Sequence, residues 1–227
     1  HLWVGTEGGL DRLHKETGQW KHFGYETDNP RSLASNPVFK IFKDSRGNLW
    51  MGNWSGGLNL FDPRNESFIR HLPGDEPGSL SNENVFDILE DSRGNLWITT
   101  VGGGLNRYDY ATGTFEHFMH NPRNPCSIHG NFLNTLLETS TGELYVSLYN
   151  MVDRFDYETR CFSHIIHNPS TNDSVFYGNV IDIFEDSRQN LWFATNTGLE
   201  YYNPVKKTFK RYTTGDGLPD NTIQGIL

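Results

Sequence analysis

The chain has 227 residues, with 28 Asp and Glu against 19 Lys and Arg and a net charge of −9. This acidic balance excludes a nucleic-acid-binding surface, which depends on clustered Lys and Arg, and it disfavours binding to an anionic membrane. No apolar run approaches the roughly 18 residues that a membrane-spanning helix needs, so direct membrane contact is not expected. Apolar residues make up 35% of the chain, which is adequate for a packed core.

A seven-residue motif returns at a regular spacing along the chain. It reads Asp-Ser-Arg-Gly-Asn-Leu-Trp at residues 44–50 and 91–97, and it recurs with Gln in place of Gly at 186–192. A degenerate copy, Thr-Ser-Thr-Gly-Glu-Leu-Tyr, occupies residues 139–145, and Leu2-Trp3 resembles the end of another copy. The closing aromatic residues are 47, 47, 48 and 47 residues apart. A period of this length is typical of propellers and solenoids.

Each repeat predicts four short strands. In the copy at residues 32–72, the strands are predicted at 38–42, 49–52, 58–61 and 67–72, and turns rich in Asp, Ser and Gly separate them. No segment has a helical period. Later copies have the same order of strands and turns. The predicted complete blades span residues 38–72, 85–119, 132–166 and 180–213.

The predicted fold is all-β, a β-propeller of four-stranded antiparallel blades in about five repeats of 47 residues, forming one domain over residues 1–227. A sheet this small cannot bury both faces alone, whereas radial stacking lets each sheet cover the next. The Trp or Tyr that closes each motif is therefore expected to be buried between blades. If the ring closes on five blades, residues 222–227 complete a split blade with the strands of residues 2–23.

Three segments carry a resemblance to a known family. They are the turn Asp-x-x-Gly-Asn-Leu-Trp, the run Gly-Thr-x-x-Gly-Leu at residues 5–10, and Gly-Leu-Pro-Asp-Asn-Thr-Ile at residues 217–223. These segments resemble the two-component regulator propeller repeat. That repeat builds the periplasmic sensor half of hybrid two-component systems, which are common in gut Bacteroidetes. The resemblance implies a propeller, commonly with seven blades, that has no shared catalytic residues.

The resemblance also implies a location, a ligand and partners. The location is the periplasm, and the ligand is an oligosaccharide or another small molecule released from complex polysaccharides. The partners are a neighbouring propeller or β-sandwich domain of the same receptor, and a homodimer of the full-length receptor is an open alternative. Because the chain begins and ends inside a motif, we expect an arc cut from a larger ring, which would expose apolar faces and associate in solution.

Two groups of residues are candidates for ligand binding. In a propeller the first strands approach the axis, and each of these strands has one polar position. The residues at this position could line the mouth of a ligand site or only the wall of a water-filled channel. They are Lys40, Asp87 and Asp182. The turns between second and third strands share one face, and their candidates are Glu7, Asn53, Trp54, Tyr149, Asn150 and Asn196. An aromatic ring beside amides suits a sugar, although isolated surface aromatics remain the alternative.

The remaining chemistry-bearing residues predict no site. The histidines of the fourth strands, His22, His71, His117 and His164, are expected to be spread around the rim, too far apart to share a metal ion. Cys126 and Cys161 have neither metal-ligand spacing nor a disulfide framework, so they are expected to be inert thiols. The sequence shows no Ser-His-Asp order and no phosphate-binding loop. It therefore predicts no metal and no cofactor.

The predicted function is a non-catalytic, ligand-sensing propeller of a two-component signalling receptor that responds to polysaccharide breakdown products. Two alternatives remain open. One is a propeller enzyme, a polysaccharide lyase or glycosidase, whose paired carboxylates come from different blades. The other is a pure protein-interaction scaffold. Glycan binding without turnover favours the sensor, product release favours the enzyme, and binding to a protein partner alone favours the scaffold.

Overall fold

The structure is a computed structural model that describes residues 1–165, 176 and 178–227. Its strands form five antiparallel sheets, and each sheet is built from strands that are consecutive in sequence. We number the sheets in chain order. Within the described residues the one helix is a 3-10 turn at Thr214–Asp216, and no helix is long and apolar enough to cross a membrane.

The first three sheets use strands β1 to β11. Sheet 1 has three strands: β1 (Leu2–Thr6), β2 (Gly9–Leu13) and β3 (Trp20–Phe23). Sheet 2 has four: β4 (Val38–Lys43), β5 (Leu49–Asn53), β6 (Leu58–Asp62) and β7 (Ser67–His71). Sheet 3 has four: β8 (Val85–Glu90), β9 (Leu96–Thr100), β10 (Gly104–Asp109) and β11 (Thr114–Phe118).

The last two sheets use strands β12 to β19. Sheet 4 has four strands: β12 (Leu136–Glu138), β13 (Leu144–Leu148), β14 (Met151–Phe155) and β15 (Phe162–His164). Sheet 5 has four: β16 (Val180–Glu185), β17 (Leu191–Thr195), β18 (Gly198–Asn203) and β19 (Thr208–Tyr212). The predicted all-β architecture is confirmed, and sheets 2 to 5 lie within the four predicted blade ranges. Residue 166, where the third of those ranges ends, lies outside the described residues.

Sheet 1 lacks the fourth strand that closure on five blades requires. Residues 222–227 form no strand, and two of their backbone N–H groups donate to sheet 5. The Ile223 N–H donates to the carbonyl of Thr195 at 2.9 Å, and the Ile226 N–H donates to Oδ2 of Asp182 at 3.0 Å. The strand predicted at residues 222–227 is therefore not formed, while the split blade with residues 2–23 stays a prediction.

The repeated motif forms a tight turn between the first and second strands of a sheet. Gly47 and Gly94 occupy its left-handed position with φ of 85° and 79°, where a glycine has no Cβ to clash. Gln189 adopts φ 63° at the same position of the third copy. The exchange of Gly for Gln in the motif therefore keeps the turn, at some cost in backbone strain.

The chain divides into two compact units, His1–His117 and Phe118–Leu227. In the first unit, hydrophobic clusters draw residues from neighbouring sheets. One cluster joins Trp50 and Leu58 of sheet 2 to Ile88 and Ile98 of sheet 3. In the second unit, Tyr145 of sheet 4 packs with sheet 5 residues in the same way. Sheets within each unit thus cover each other, as the repeat predicts, while a single 227-residue domain stays a prediction.

The closing aromatic residues of the motif are buried to different degrees. Trp50, Trp97 and Tyr145 are at most 3% exposed, whereas Trp3 and Trp192 are half-buried. Sheets approach closely beside them. A Cβ on Gly52 would lie 2.6 Å from Cγ1 of Val85, so glycine is needed where β5 passes sheet 3.

Candidate functional site

Two β-bulges of the first unit expose aromatic side chains at the start of first strands. The register shifts at Phe39 in β4 and at Phe86 in β8, and a bulged residue is left without a cross-strand partner. The two rings stack with centroids 5.6 Å apart, and the Trp54 ring lies 5.9 Å from Phe39. Phe39 is 52% exposed and Trp54 40% exposed. We call Phe39, Trp54 and Phe86 the aromatic patch.

The predicted polar pair of the first strands lies next to two residues of this patch in sequence. Nζ of Lys40 is 2.6 Å from Oδ1 of Asp87, and the Asp87 side chain is 8% exposed against 39% for Lys40. Oδ1 of Asp87 also accepts the N–H of Ile88 at 2.8 Å. The structure therefore brings Lys40 and Asp87 together as an ion pair with one buried partner.

The other predicted residues of the first unit differ in accessibility. Asn53 is fully buried: its amide donates to the Ser35 carbonyl at 2.8 Å and its Oδ1 accepts from Asn59 at 3.0 Å. Asn53 thus holds the turn that presents Trp54. Glu7 is exposed in the turn between β1 and β2.

In the second unit the predicted residues occupy turns and one strand of sheets 4 and 5. Tyr149 is 50% exposed, with its ring 5.8 Å from Phe132, and Asn150 is half-buried beside it. Oδ1 of Asn196 accepts the Asn179 N–H at 2.9 Å. Asp182 in β16 accepts the N–H of Ile226 at 3.0 Å. A shared mouth lined by residues of both units remains a prediction.

Cys126 and Cys161 form a disulfide, so the prediction of two inert thiols was wrong. In sheets 3 and 4 the loop before the sheet runs beside that sheet's fourth strand. The Phe162 N–H donates to the Cys126 carbonyl at 2.9 Å, just as the Phe115 N–H donates to Gly78 at 2.7 Å in sheet 3. An alignment of the loop and the fourth strand between the two copies predicts that the cysteines are neighbours. The spacing of the cysteines along the chain does not predict it.

A cluster of two histidines and an aspartate was also missed. Nδ1 of His129 lies 3.0 Å and Nδ1 of His164 lies 2.5 Å from Oδ1 of Asp153. Burial raises the pKa of Asp153, but hydrogen bonds from both histidines outweigh it and hold that pKa below its ordinary value. The recurring histidine of the fourth strands identified His164. It did not identify His129, because His129 lies in the loop before sheet 4.

The degenerate motif coincides with a cleft of about 640 Å³ in the second unit, lined by residues of sheets 4 and 5. In the first unit the corresponding space is filled, because Tyr110 donates to Asp44 at 2.9 Å and Arg46 lies 3.7 Å above the Tyr110 ring. The second unit has Thr139 in place of Asp44 and Pro204 in place of Tyr110.

An ion pair lies in the wall of this cleft. Arg154 and Glu143 approach to 2.7 Å, and the hydroxyl of Tyr145 donates to Glu143 at 3.2 Å. Burial is the main cause that raises the pKa of Tyr145, so its hydroxyl stays protonated at neutral pH. The cleft is polar on this side, and no predicted site residue lines it.

Comparison with known proteins identifies the family of the repeats and the fold. The two component regulator propeller family matches residues 32–55, 79–102 and 174–197. The extracellular domains of the hybrid two component systems BT3049 and BT4673 from B. thetaiotaomicron have TM-scores of 0.75 and 0.73 to this chain, each at 22% identity over 92% of it. This chain spans only 28% and 29% of those two chains.

A third solved structure is similar over nearly the whole chain. PorZ of Porphyromonas gingivalis, a bacterial surface component of the type-IX secretion system, has a TM-score of 0.75 and 15% identity over 99% of this chain and 34% of its own. No curated protein matches the sequence. At these identities the solved structures establish the propeller fold.

Proposed function

We propose that this chain, which carries repeats of the two component regulator propeller family, is a ligand-sensing and non-catalytic part of a hybrid two component receptor. The three matched repeats carry this proposal. They fall in sheets 2, 3 and 5, where each contains the Asp-Ser-Arg motif and the second strand that follows it. The similar fold of two receptor extracellular domains supports it.

The disulfide supports a location outside the cytoplasm. Thiols are kept reduced in the cytosol, whereas disulfides persist in the periplasm and at the cell surface. Cys126 and Cys161 join the loop before sheet 4 to the start of its fourth strand. We therefore propose a periplasmic location for this chain, in keeping with a receptor whose sensor region meets ligands outside the cytoplasm.

The aromatic patch is our candidate ligand site. Binding sites for small molecules combine apolar and aromatic surface with a few placed polar groups. Phe39 and Trp54 offer exposed ring faces on which the apolar face of a sugar ring can stack. The ion pair of Lys40 and Asp87 is adjacent in sequence to two patch residues and offers groups that bond hydroxyls. The proposed ligand is an oligosaccharide released from a complex polysaccharide.

The electrostatics of this site favour binding over catalysis. A glycosidase needs two carboxyl groups about 5–9.5 Å apart, one of which must carry a proton. The Asp87 carboxylate is held in an ion pair with Lys40 at 2.6 Å. It is the one carboxyl group among the residues of this candidate site, so the pair of carboxyl groups that a glycosidase needs is not among them.

Titration of the chain with oligosaccharides from complex polysaccharides tests this function. We expect saturable binding without product release by calorimetry and chromatography. Trp54→Ala should weaken binding at least about fivefold, since an aromatic side chain that stacks on a nucleobase contributes roughly 1–3 kcal/mol and we expect a similar contribution for a sugar ring. Trp20→Ala is the matched control, because Trp20 is 58% exposed in β3 and lies outside the patch.

Each other outcome selects an alternative. Product release would identify a lyase or glycosidase. Equal affinities of wild type and Trp54→Ala would remove the patch as the site. Binding to a protein partner without any glycan binding would indicate a scaffold.

The chain spans under a third of the similar receptor domains, so we also propose a neighbouring propeller or β-sandwich domain as a partner and a homodimer of the full-length receptor.

A further inference from the structure

Asp153 lies between two histidines, in a cluster that sheet 4 has and sheets 2 and 3 lack. Asp153 in β14 is paired across the sheet with His164 in β15. His129 comes from the preceding loop and is held there because its backbone N–H donates to Oδ2 of Asp153 at 2.8 Å. The two imidazole centroids are 3.2 Å apart, so both rings converge on one carboxylate.

In sheets 2 and 3 the corresponding positions brace the equivalent loop without a second histidine. In sheets 2 and 3 an asparagine side chain accepts the loop N–H, from Ala34 to Asn59 at 3.2 Å and from Ser81 to Asn106 at 3.0 Å. These copies show that an amide and a small loop residue are enough to hold the loop. Bracing the loop therefore does not require the carboxylate of Asp153 or the imidazole of His129, and their combination with His164 distinguishes sheet 4 from sheets 2 and 3.

We propose that His129, Asp153 and His164 bind a divalent first-row transition-metal ion such as Zn²⁺. Within the described part of the chain they are the group of three whose ligand atoms all lie within 4.8 Å of one another. Tetrahedral zinc has bonds of about 2.0–2.2 Å to imidazole nitrogen and carboxylate oxygen, which places its ligand atoms roughly 3.3–3.5 Å apart. The Nδ1 to Oδ1 distances of 3.0 and 2.5 Å need only small side-chain rotations to reach this geometry.

The charge and exposure of the cluster suit a cation. The Asp153 side chain is fully buried, and a buried carboxylate is stabilised by a compensating positive charge. His129 and His164 are 27% and 29% exposed, so an ion can reach the nitrogens from solvent. Two nitrogens and one oxygen suit zinc and its first-row neighbours rather than Ca²⁺ or Mg²⁺, which prefer oxygen alone. Three protein ligands leave one position for water.

The disulfide organises this site in advance. Cys126 and Cys161 join the same two segments that carry the histidines, and His129 and His164 follow them at equal spacing along those segments. A bound ion would thus be a second cross-link between the loop and β15, in register with the first. Because the disulfide already orders the loop, metal binding loses less conformational entropy than it would in a free loop.

Calorimetric titration of the chelator-treated chain with Zn²⁺ tests the site, and Co²⁺ absorption reports its ligand geometry. We expect one ion per chain, a higher Tm in Zn²⁺, and affinity at least about tenfold weaker in His129→Ser and in Asp153→Asn. Both variants should fold, because Ser81 and Asn106 occupy these positions in sheet 3. The double variant Cys126→Ser, Cys161→Ser should also bind more weakly, through loss of preorganisation.

The matched control is the pair of Asp11 and His22 in sheet 1, which lie 2.9 Å apart at the equivalent cross-strand position. His22→Gln should leave the zinc affinity unchanged. The proposal is overturned if the wild-type chain shows no saturable binding of Zn²⁺. It is equally overturned if both His129→Ser and Asp153→Asn bind Zn²⁺ as tightly as wild type, since the ion then resides elsewhere.

Discussion

The indole Nε1 of Trp97 donates a hydrogen bond to Oδ2 of Asp91 at 2.7 Å, which joins the last residue of the motif to its first. Oδ1 of the same carboxylate accepts the backbone N–H of Asn95 at 2.8 Å. The bond recurs from Trp50 to Asp44 at 2.8 Å and from Trp192 to Asp186 at 3.0 Å. One carboxylate therefore closes the turn and satisfies the indole that enters the core.

Replacing this carboxylate should destabilise the protein. Asp91→Ala leaves the fully buried indole N–H of Trp97 without its partner and removes the bond to the turn, which costs about 1–3 kcal/mol. Urea unfolding measures the change in free energy. Asp75→Ala is the control, because Asp75 is an exposed loop residue, and its effect should stay within about 0.5 kcal/mol. Equal losses for the two variants would contradict the assigned role of Asp91.

Two tryptophans should differ strongly in their contribution to stability. Trp97 is 0% exposed, so Trp97→Ala should cost about 3–5 kcal/mol through lost burial and the cavity that remains. Trp54 is 40% exposed in a turn, and Trp54→Ala should cost far less. Chemical denaturation of both variants tests the distinction, which similar midpoints and slopes for the two would refute.

The regular repeat predicts whatever depends on order along the chain. It gives the strand order, the turns and the burial of Trp50 and Trp97, because each follows from hydrophobic pattern and turn chemistry within one copy. It does not predict which individual residues of different copies meet, or where one copy departs from the common pattern. The β-bulge that turns Phe39 outward depends on local register, and the meeting of His129 with His164 depends on how a loop runs beside a later strand.

The disulfide should contribute to stability as a cross-link of the unfolded chain. Cys126 and Cys161 are separated by 35 residues, and closing a loop of this length stabilises the folded state by about 2–4 kcal/mol. The double variant Cys126→Ser, Cys161→Ser should lower the free energy of unfolding by that amount. The wild type in reductant should show the same loss. An unchanged unfolding curve in reductant, with both thiols shown to be free, would count against this role.

His71 should make the protein less stable in weak acid. Its Nε2 is buried with no hydrogen-bond partner among the described residues, and the ring lies 5.6 Å from Phe115. Burial lowers the pKa of His71 below its ordinary value, so the unfolded chain takes up a proton before the folded one as the pH falls. The stability that neutral His71 confers is present above about pH 6.5 and is lost as the pH falls towards the folded pKa.

One proton that only the unfolded chain takes up changes the free energy of unfolding by up to about 1.4 kcal/mol per pH unit. Urea unfolding of the wild type at about pH 7.5 and pH 5.5 should show a loss that His71→Phe reduces, because phenylalanine fills the same apolar site without titrating. The control is His22→Phe, since the His22 side chain is 57% exposed. If His71→Phe and wild type lose the same free energy between the two pH values, His71 is not the group responsible.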